Sequence, residues 1–369
     1  MKVVSVVAAR PNFMKISPIA REMRRFPEIQ NILVHTGQHY DFEMSQVFFQ
    51  DLELPQPDVY LAAGSGSHAA QTARVMITFE EVLRKEVPDV IVVVGDVNST
   101  LACALVAAKL CLPIAHVEAG LRSFDRTMPE EINRLLTDQV SELLFTTSLE
   151  AEDNLLREGI PREKVHFVGN VMIDSLCLCL EKALKSDTRM RLGLDNEPYA
   201  LLTLHRPPNV DDRTTLQRIL RAVENVNEHV RVVFSVHPRT AARIRHMGLT
   251  SPELNSTGMV FTPPLGRIDF LSLLLGASFV MTDSGGIQEE TTFLQIPCLT
   301  LRDNTERPVT VSCGTNRLVS TDSDRILQGA LEILSGRWKR GQIPNLWDGH
   351  AAERIVQILR AKFKLTGAL

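Results

Sequence analysis

The chain has 369 residues, of which 44% are hydrophobic and 23% charged, and its formal net charge is −4 at pH 7. This length exceeds what one hydrophobic core usually supports, so we expect two domains. The small negative charge argues against a general nucleic-acid-binding protein, although it leaves room for a local basic pocket that binds phosphate groups.

Cysteines and apolar runs indicate a cytoplasmic protein. The 6 cysteines are scattered, contain no CxxC pair and lie mostly in apolar segments, which predicts free thiols in a reducing compartment. The first apolar run stops at Arg10 and lacks the cleavage region of a signal peptide. The longest later run, residues 270–281, is too short to span a bilayer, so we expect no membrane segment.

Short runs rich in valine and isoleucine alternate with segments of helical periodicity. The predicted elements, in chain order, are strand 3–8, helix 14–26, strand 32–35, helix 67–85, strand 90–94, helix 100–110, strand 113–117, strand 143–146, helix 150–158, strand 165–168, helix 175–185, strand 199–204, helix 214–228, strand 230–236, helix 241–246, strand 259–261, helix 268–275, strand 279–282, helix 286–294, strand 298–301, helix 323–334 and helix 351–363. Residues 9–13 are predicted to form a loop. The alternation predicts an α/β fold with doubly wound parallel sheets, and its restart near residue 170 predicts two similar halves. In the absence of other information, we expect the active site in the cleft between these two halves.

Three acidic positions stand out in the first half. Asp96 and Glu118 follow or end two buried strands, and Glu130-Glu131 follow a proline. Ligands in open α/β sheets bind outside the carboxyl ends of the strands, and a pair of carboxylates can remove a carbon-bound proton and support its return. The alternative is that these acids cap helices or pair with arginines such as Arg134.

Cations occupy corresponding places in the two halves. Arg10 and Lys15 follow the first strand, and His205-Arg206 follow the first strand of the second half. Such groups suit a diphosphate. The alternative is a set of solvated surface charges, but the repetition in both halves favours binding.

A second candidate anion site follows the predicted strand 279–282. Ser284, Gly285 and Gly286 open a helix there, and free N–H groups at a helix start suit a phosphate. An ordinary capped βα turn is the alternative. Glu290, one helical turn later, could hold a pair of ribose hydroxyls or be a solvated helix residue. Arg307 could contact an anion or a base, or belong to a salt-bridged loop.

No pattern predicts a metal or a redox cofactor. His35 and His39 have i,i+4 spacing, but Gly37 lies between them and no HExxH helix exists. The chain also lacks a Walker A sequence and the dinucleotide-binding fingerprint. We therefore expect neither a metal ion nor NAD or ATP.

Taken together, these motifs resemble those of the non-hydrolysing UDP-N-acetylglucosamine 2-epimerases. The matching pieces, in the order of the family, are Arg10-Pro11 with Lys15, TGQH at 36–39, Gly95-Asp96, HVEAGLR at 116–122, PEExNR at 129–134, His205-Arg206, DSGGxQEE at 283–290 and TERP at 305–308. They cover nearly the whole chain, and HVEAGLR with PEExNR is highly specific.

The resemblance implies two Rossmann-like doubly wound domains that face a cleft, as in GT-B glycosyltransferases. The N-terminal domain, residues 1–170 plus 351–369, would carry the acid and base groups, and the C-terminal domain, residues 171–350, would bind UDP. A homodimer without a cofactor is implied, with a UDP-sugar as substrate and a role in polysaccharide biosynthesis.

The implied reaction interconverts UDP-GlcNAc and UDP-ManNAc by elimination of UDP to a 2-acetamidoglucal, followed by re-addition. By the same resemblance the catalytic groups are Asp96, Glu118, Glu130 and His205. The substrate-binding groups are Arg10, Lys15, Phe270, Ser284, Gly285, Gly286, Glu290 and Arg307. A second, activating UDP-GlcNAc would lie against Gln38, His39, Arg206 and His237.

Departures from the family pattern affect the expected sugar more than the reaction. Ala8-Ala9 precede Arg10 where the family has Gly-Thr, and the loop at 123–128 is shorter than in many bacterial members. These features are similar to those of relatives that epimerise UDP-2,3-diacetamido-2,3-dideoxy-glucuronate at C2, which is the alternative substrate. A GT-B glycosyltransferase, a hydrolysing epimerase and a non-catalytic nucleotide-sugar sensor are further alternatives.

Overall fold

The computed structural model describes residues 1–37, 51–195, 197–249 and 258–363. The chain divides into two compact units. Unit 1 contains Met1–Leu178 and Asn345–Leu369, and unit 2 contains Cys179–Pro344. The predicted residues Gln38 and His39 lie outside the described part of the chain.

Unit 1 is built on a parallel sheet with the strand order β3-β2-β1-β4-β5-β6-β7. Its strands are β1 Lys2–Val7, β2 Gln30–His35, β3 Val59–Tyr60, β4 Val90–Val94, β5 Ile114–Ala119, β6 Leu143–Thr146 and β7 Val165–Phe167. Strand β4, with the sequence VIVVV, is buried along its whole length. Such a continuous run of β-branched residues is what a strand covered on both faces requires.

The helices of unit 1 cover this sheet. They are α1 Arg10–Met23, α2 His68–Glu86, α3 Asn98–Lys109, α4 Pro129–Val140, α5 Leu149–Arg157, the first part of α6 Val171–Leu184 and, at the end of the chain, α15 Ala351–Phe363. Helix α2 shows why they form: Ser67 caps its start, and Val75, Phe79 and Leu83 recur at helical spacing on its buried side.

Unit 2 repeats the plan with the strand order β10-β9-β8-β11-β12-β13. Its strands are β8 Tyr199–Thr203, β9 Arg231–Ser235, β10 Val260–Thr262, β11 Phe279–Thr282, β12 Cys298–Thr300 and β13 Asn316–Leu318. Its helices are the end of α6, α7 Thr188–Arg191, α8 Pro207–Val210, α9 Arg213–Asn227, α10 Pro238–His246, α11 Arg267–Gly276, α12 Gly285–Leu294, α13 Pro308–Ser312 and α14 Ser323–Leu334.

The predicted fold class of two Rossmann-like doubly wound domains is confirmed, since each unit carries one parallel sheet flanked by helices. In each sheet the strand order reverses once, between β1 and β4 in unit 1 and between β8 and β11 in unit 2. Ligands in such sheets bind at the carboxyl ends of the strands beside the reversal. The fold therefore directs attention to the residues that follow these four strands.

Two local predictions need correction. Residues 9–13 are not a loop, because helix α1 already begins at Arg10. Pro11 suits a first helical turn, where its missing N–H would have no partner, and Asn12 accepts a hydrogen bond from the backbone of Ala9 at 3.0 Å. The short strands β3 and β13 were not predicted, since two or three residues carry too little periodicity.

The boundaries between the units also differ from the predicted positions at 170/171 and 350/351. The first boundary falls inside α6, whose helix runs through it. The second falls at Asn345 because Trp347 belongs to unit 1, where its buried indole donates to the carbonyl of Thr147 at 2.9 Å. The connector before α15 is therefore packed against unit 1.

Two further observations concern the described residues only. None of their helices is both long and apolar enough to cross a membrane. Within the same part of the chain, no three histidine, cysteine or acidic side chains are grouped so that they could hold a metal ion.

Candidate active site

The acidic residues of unit 1 come together at the strand-order reversal. Asp96 follows Gly95 directly after β4, and Glu118 lies in β5. The Lys15 ammonium of α1 forms an ion pair with the Glu118 carboxylate, and both side chains are buried. A Cβ atom on Gly95 would stand 2.7 Å from Lys15 Nζ and 3.3 Å from Glu118 Oε2. Gly95 thus covers this ion pair while its neighbour Asp96 leaves the same turn.

Glu118 has an unusual backbone for a strand residue. Its φ is +71°, and the pairing register between β5 and β6 shifts between Val117 and Ala119. A bulge of this kind redirects one side chain, and a positive φ in a residue other than glycine stores strain that the surroundings must hold. Its side chain is held in the ion pair with Lys15.

Arg134 connects two of the acids. Asp96 Oδ2 accepts from Arg134 Nε at 3.0 Å and from Nη2 at 2.6 Å. The same guanidinium donates through Nη1 to Glu131 Oε2 at 2.6 Å. The alternative reading of Asp96 as an arginine partner is therefore seen in the structure, and it also fixes the position of its carboxylate.

Glu131 is fully engaged, whereas its neighbour Glu130 is not. The Glu131 carboxylate accepts from the backbone N–H groups of Ser123 at 2.9 Å and Phe124 at 2.8 Å, besides Arg134. Glu130 lies in the same first turn of α4 and is half-buried. No ion pair with Glu130 occurs among the described residues, which supports Glu130 over Glu131 as the third acid.

In unit 2, Asp283 organises the loop after β8. This buried carboxylate accepts from the backbone N–H of His205 at 3.0 Å and of Arg206 at 2.9 Å, and lies 2.9 Å from His205 Nδ1. Burial would raise the pKa of Asp283, but the His205 ring and these N–H groups outweigh it, so its pKa lies below the ordinary value. The His205 side chain remains 38% exposed, so a ligand can reach it.

The start of α12 carries the predicted phosphate loop. Ser284 occupies the cap position, and Gly285 and Gly286 form the first turn. A Cβ atom on Gly285 would stand 2.5 Å from Arg307 Nη1, so only glycine admits the guanidinium this close. The positive end of the helix and the Arg307 cation therefore lie together, an arrangement that suits an anion.

Arg307 belongs to a dense buried group of charges. Glu306 Oε1 lies 2.6 Å from Arg307 Nη1 and 3.0 Å from Arg206 Nη2, and Glu306 Oε2 lies 2.8 Å from Arg302 Nη2. Arg307 Nε also lies 2.8 Å from Glu289 Oε1. Burial lowers the pKa of Arg302. A salt-bridged loop is the alternative that the sequence allowed for Arg307, and this loop is salt-bridged. Its ion pairs bring Arg206, Arg302 and Arg307 together beside the start of α12.

Glu290 is not a solvated helix residue. It is 2% exposed, and its Oε1 lies 2.8 Å from Arg267 Nη1. Its Oε2 is buried without a hydrogen-bond partner in the described structure. Phe270, one helical turn after Arg267 on α11, is half-buried. A hydroxyl ligand could complete the hydrogen bonding of Glu290.

The predicted residues of the second, activating site are only partly visible. Arg206 caps α8 and His237 caps α10, where His237 Nδ1 accepts from the backbone N–H of Arg239 at 3.2 Å. The His237 and His205 ring centroids are 5.6 Å apart. Arg10 is the first residue of α1.

Two organising residues, Asp283 and Arg267, were not assigned roles from the sequence, whereas Arg134 was named there as a possible partner of the acids. Arg134 holds Asp96, Arg267 holds Glu290, and Asp283 holds His205. The signal for Arg134 and Asp283 was present, since both belong to quoted motifs. Arg267 belongs to none, and only its ion pair with Glu290 of α12 reveals its part.

Comparisons with known proteins agree along almost the whole chain. A family model described as UDP-N-acetylglucosamine 2-epimerase matches residues 21–360. A UDP-N-acetylglucosamine 2-epimerase of Methanocaldococcus jannaschii is 43% identical over 365 residues, which cover 97% of this chain and 99% of the relative. A UDP-2,3-diacetamido-2,3-dideoxy-D-glucuronate 2-epimerase of Pseudomonas aeruginosa is 40% identical over 363 residues, with 97% and 99% coverage. The crystal structure of the M. jannaschii UDP-GlcNAc 2-epimerase in complex with UDP-GlcNAc and UDP is similar with a TM-score of 0.90, at 43% identity and with 98% and 100% coverage.

Proposed function

Because this chain belongs to the UDP-N-acetylglucosamine 2-epimerase family, we propose that it interconverts UDP-GlcNAc and UDP-ManNAc. Membership makes the protein an isomerase, so the glycosyltransferase alternative falls away. The observation that carries the proposal is the Gly95 turn at the strand-order reversal: Gly95 lies against the buried Lys15–Glu118 pair, and Asp96 follows it in the chain.

The reaction proceeds by elimination and re-addition. A carboxylate takes the proton from C2 of the sugar, the C2–H electrons form a C1–C2 double bond, and the C1–O bond breaks with its electrons on UDP. The product is a 2-acetamidoglucal. A UDP oxygen then attacks C1, and an acid delivers a proton to the opposite face of C2. Asp96, Glu118 and Glu130 are the proposed acids and bases.

The proton at C2 is weakly acidic, so departure of UDP must accompany its removal. Groups that stabilise the negative charge developing on the diphosphate therefore lower the barrier to elimination. The proposed diphosphate ligands are Arg10, Lys15, His205, Ser284, Gly285, Gly286 and Arg307. Since Lys15 is paired with Glu118 in the structure, an arriving diphosphate would compete with Glu118 for this ammonium.

The nucleoside has proposed partners in unit 2. The Glu290 oxygen without a partner is suited to accept from a ribose hydroxyl, while Arg267 holds the other oxygen. Phe270 offers a half-buried aromatic face to the uracil.

The oligomeric state, the location and the activation of the protein are also part of the proposal. The protein acts as a homodimer in the cytoplasm, in the biosynthesis of polysaccharides, and needs no cofactor. A second UDP-GlcNAc binds as an activator against Gln38, His39, Arg206 and His237. The proximity of the His205 and His237 rings supports a link between this site and the diphosphate ligands.

Isotope exchange tests the reaction. Incubation with UDP-GlcNAc in D2O should give deuterium at C2 and the manno epimer, both followed by NMR, with Glu118→Gln as the inactive control. Absence of both products would overturn the UDP-GlcNAc proposal.

The second candidate substrate is UDP-2,3-diacetamido-2,3-dideoxy-glucuronate. It is favoured by the P. aeruginosa relative, which matches this chain over the same length at almost the same identity. The same D2O assay on this sugar distinguishes the two, because the native substrate should show the much higher kcat/KM.

A further inference from the structure

A fully buried histidine lies beneath the Gly95 turn. His116, in the middle of β5, has 0% exposure. Its Nε2 lies 2.8 Å from the carbonyl oxygen of Gly95, and its Nδ1 lies 2.6 Å from Oδ1 of Asp138 on α4. Both ring nitrogens therefore have short, well-defined partners.

Both partners of His116 are acceptors. A carbonyl oxygen can only accept, and Asp138 Oδ2 already accepts from Arg122 Nη2 at 2.7 Å and from the backbone N–H of Gly120 at 3.1 Å. Burial would raise the pKa of Asp138, but its basic neighbours outweigh this effect and the pKa lies below its ordinary value; apart from His116, the Arg122 guanidinium and the Gly120 N–H both stabilise the ionised form. Asp138 is thus a carboxylate, and a neutral imidazole, which has one N–H, could donate to only one of the two acceptors.

The surrounding charges lead to the same protonation state. Arg122 also pairs with Glu158, at 2.6 Å. The network then contains the carboxylates of Asp138 and Glu158 and the guanidinium of Arg122. A charged His116 brings this group to neutrality, whereas a neutral ring would leave a net charge of −1 on the group, which Glu158 exposes in part to solvent.

We propose that His116 is a buried imidazolium that acts as a positioning residue for the acid cluster. Its Nε2–H holds the carbonyl of Gly95, whose φ of +67° sets the direction in which the chain leaves β4. Gly95 lies against the Lys15–Glu118 pair, and Asp96 is the next residue in the chain. His116 therefore acts on the reacting groups through one backbone carbonyl.

The protonation state is tested by NMR on the full-length protein labelled with 15N at histidine, with the His116 signals assigned by their loss in His116→Gln. We expect both ring nitrogens to carry protons at pH 7, and Asp138→Asn to leave only one of them protonated. A neutral His116 ring at pH 7 in the wild-type protein would overturn the proposal. The spectrum of the wild-type protein decides this, and the variant serves only to assign the signals.

The positioning role rests on the proposed epimerase function and has its own test. His116→Gln keeps a donor for Gly95 without the charge, and we expect kcat to fall 10- to 100-fold while the Kd for UDP is unchanged. His166→Gln, a half-buried histidine on β7, is the matched control and should keep full activity. Equal kcat values for His116→Gln and wild type would contradict the positioning role. Wild-type protein without C2 exchange would instead contradict the epimerase function, and the NMR result would stand.

Discussion

At the scale of single residues, the adjacent and identical side chains of Glu130 and Glu131 have different partners. The Glu131 carboxylate accepts hydrogen bonds from Arg134 and from two backbone N–H groups of the preceding loop. Through Arg134 it also steadies Asp96. Glu130 has none of these partners in the described structure, and for this reason we propose Glu130 rather than Glu131 as the third acid.

Glutamine substitutions should separate the two tasks. Glu130→Gln should lower kcat for C2 exchange by about 100-fold or more, the usual contribution of an acid or base group, with little change in Tm. Glu131→Gln should lower the free energy of unfolding by about 3 kcal/mol, because it leaves Arg134 partly unpaired in a buried site. Exchange kinetics and thermal melts of both variants check this. A stable but inactive Glu131→Gln beside an active Glu130→Gln would reverse the assignment.

At the scale of elements, the C-terminal helix α15 is held by a carboxylate from another helix. Asp174 of α6 accepts from the backbone N–H of Ala351 at 3.2 Å and of Ala352 at 2.7 Å. Burial nevertheless raises the pKa of Asp174 from 3.8 to about 6. The start of α15 is thus capped by Asp174, a carboxyl group whose ionised form is disfavoured by burial.

This raised pKa makes stability depend on pH. The folded state binds the proton of Asp174 more tightly than the unfolded chain, so its contribution to stability is fully present below pH 4 and is lost as the pH rises to about 6. A shift of this size corresponds to about 3 kcal/mol. Relative to Asp174→Asn, the wild-type protein should therefore lose about that amount between pH 4 and pH 7 in urea denaturation. A difference between the two proteins that does not change with pH would contradict the explanation.

The elements themselves were largely predictable because buried parallel strands and amphipathic helices leave periodic patterns. Strand β4 was predicted at its observed bounds, since five β-branched residues in a row admit little else. Helix α1 was predicted to begin four residues late, because no capping side chain marks its start at Ala9. Strand β13 and the bulge at Glu118 have no local signal, as neighbouring strands impose them.

At the scale of the whole molecule, the two units hold different parts of the proposed site. Unit 1 contains the acids Asp96, Glu118 and Glu130 together with Arg10 and Lys15, and unit 2 contains the other proposed ligands of UDP. The motifs identified these residues, but the sequence left open which groups hold them. Pairs such as Arg134 with Asp96 join residues far apart in the chain, and only folding brings them together.

The division predicts that UDP affinity and proton chemistry can be lost separately. Glu290→Gln should weaken UDP binding about 10-fold or more, which is the usual value of a hydrogen bond to a charged group. Asp96→Asn should leave the Kd for UDP unchanged while C2 exchange is lost. Calorimetric titration with UDP measures both. An Asp96→Asn protein with UDP affinity as weak as that of Glu290→Gln would contradict the division.

The placement of the two tryptophans gives each unit its own optical reporter. Trp347 lies buried in unit 1, and Trp338 lies in unit 2, where Arg317 stands 4.1 Å from its ring and the indole donates to Thr315. The chain contains no other tryptophan. Replacing either one by phenylalanine therefore leaves a protein whose tryptophan emission comes from one unit, so the melting of each unit can be followed separately.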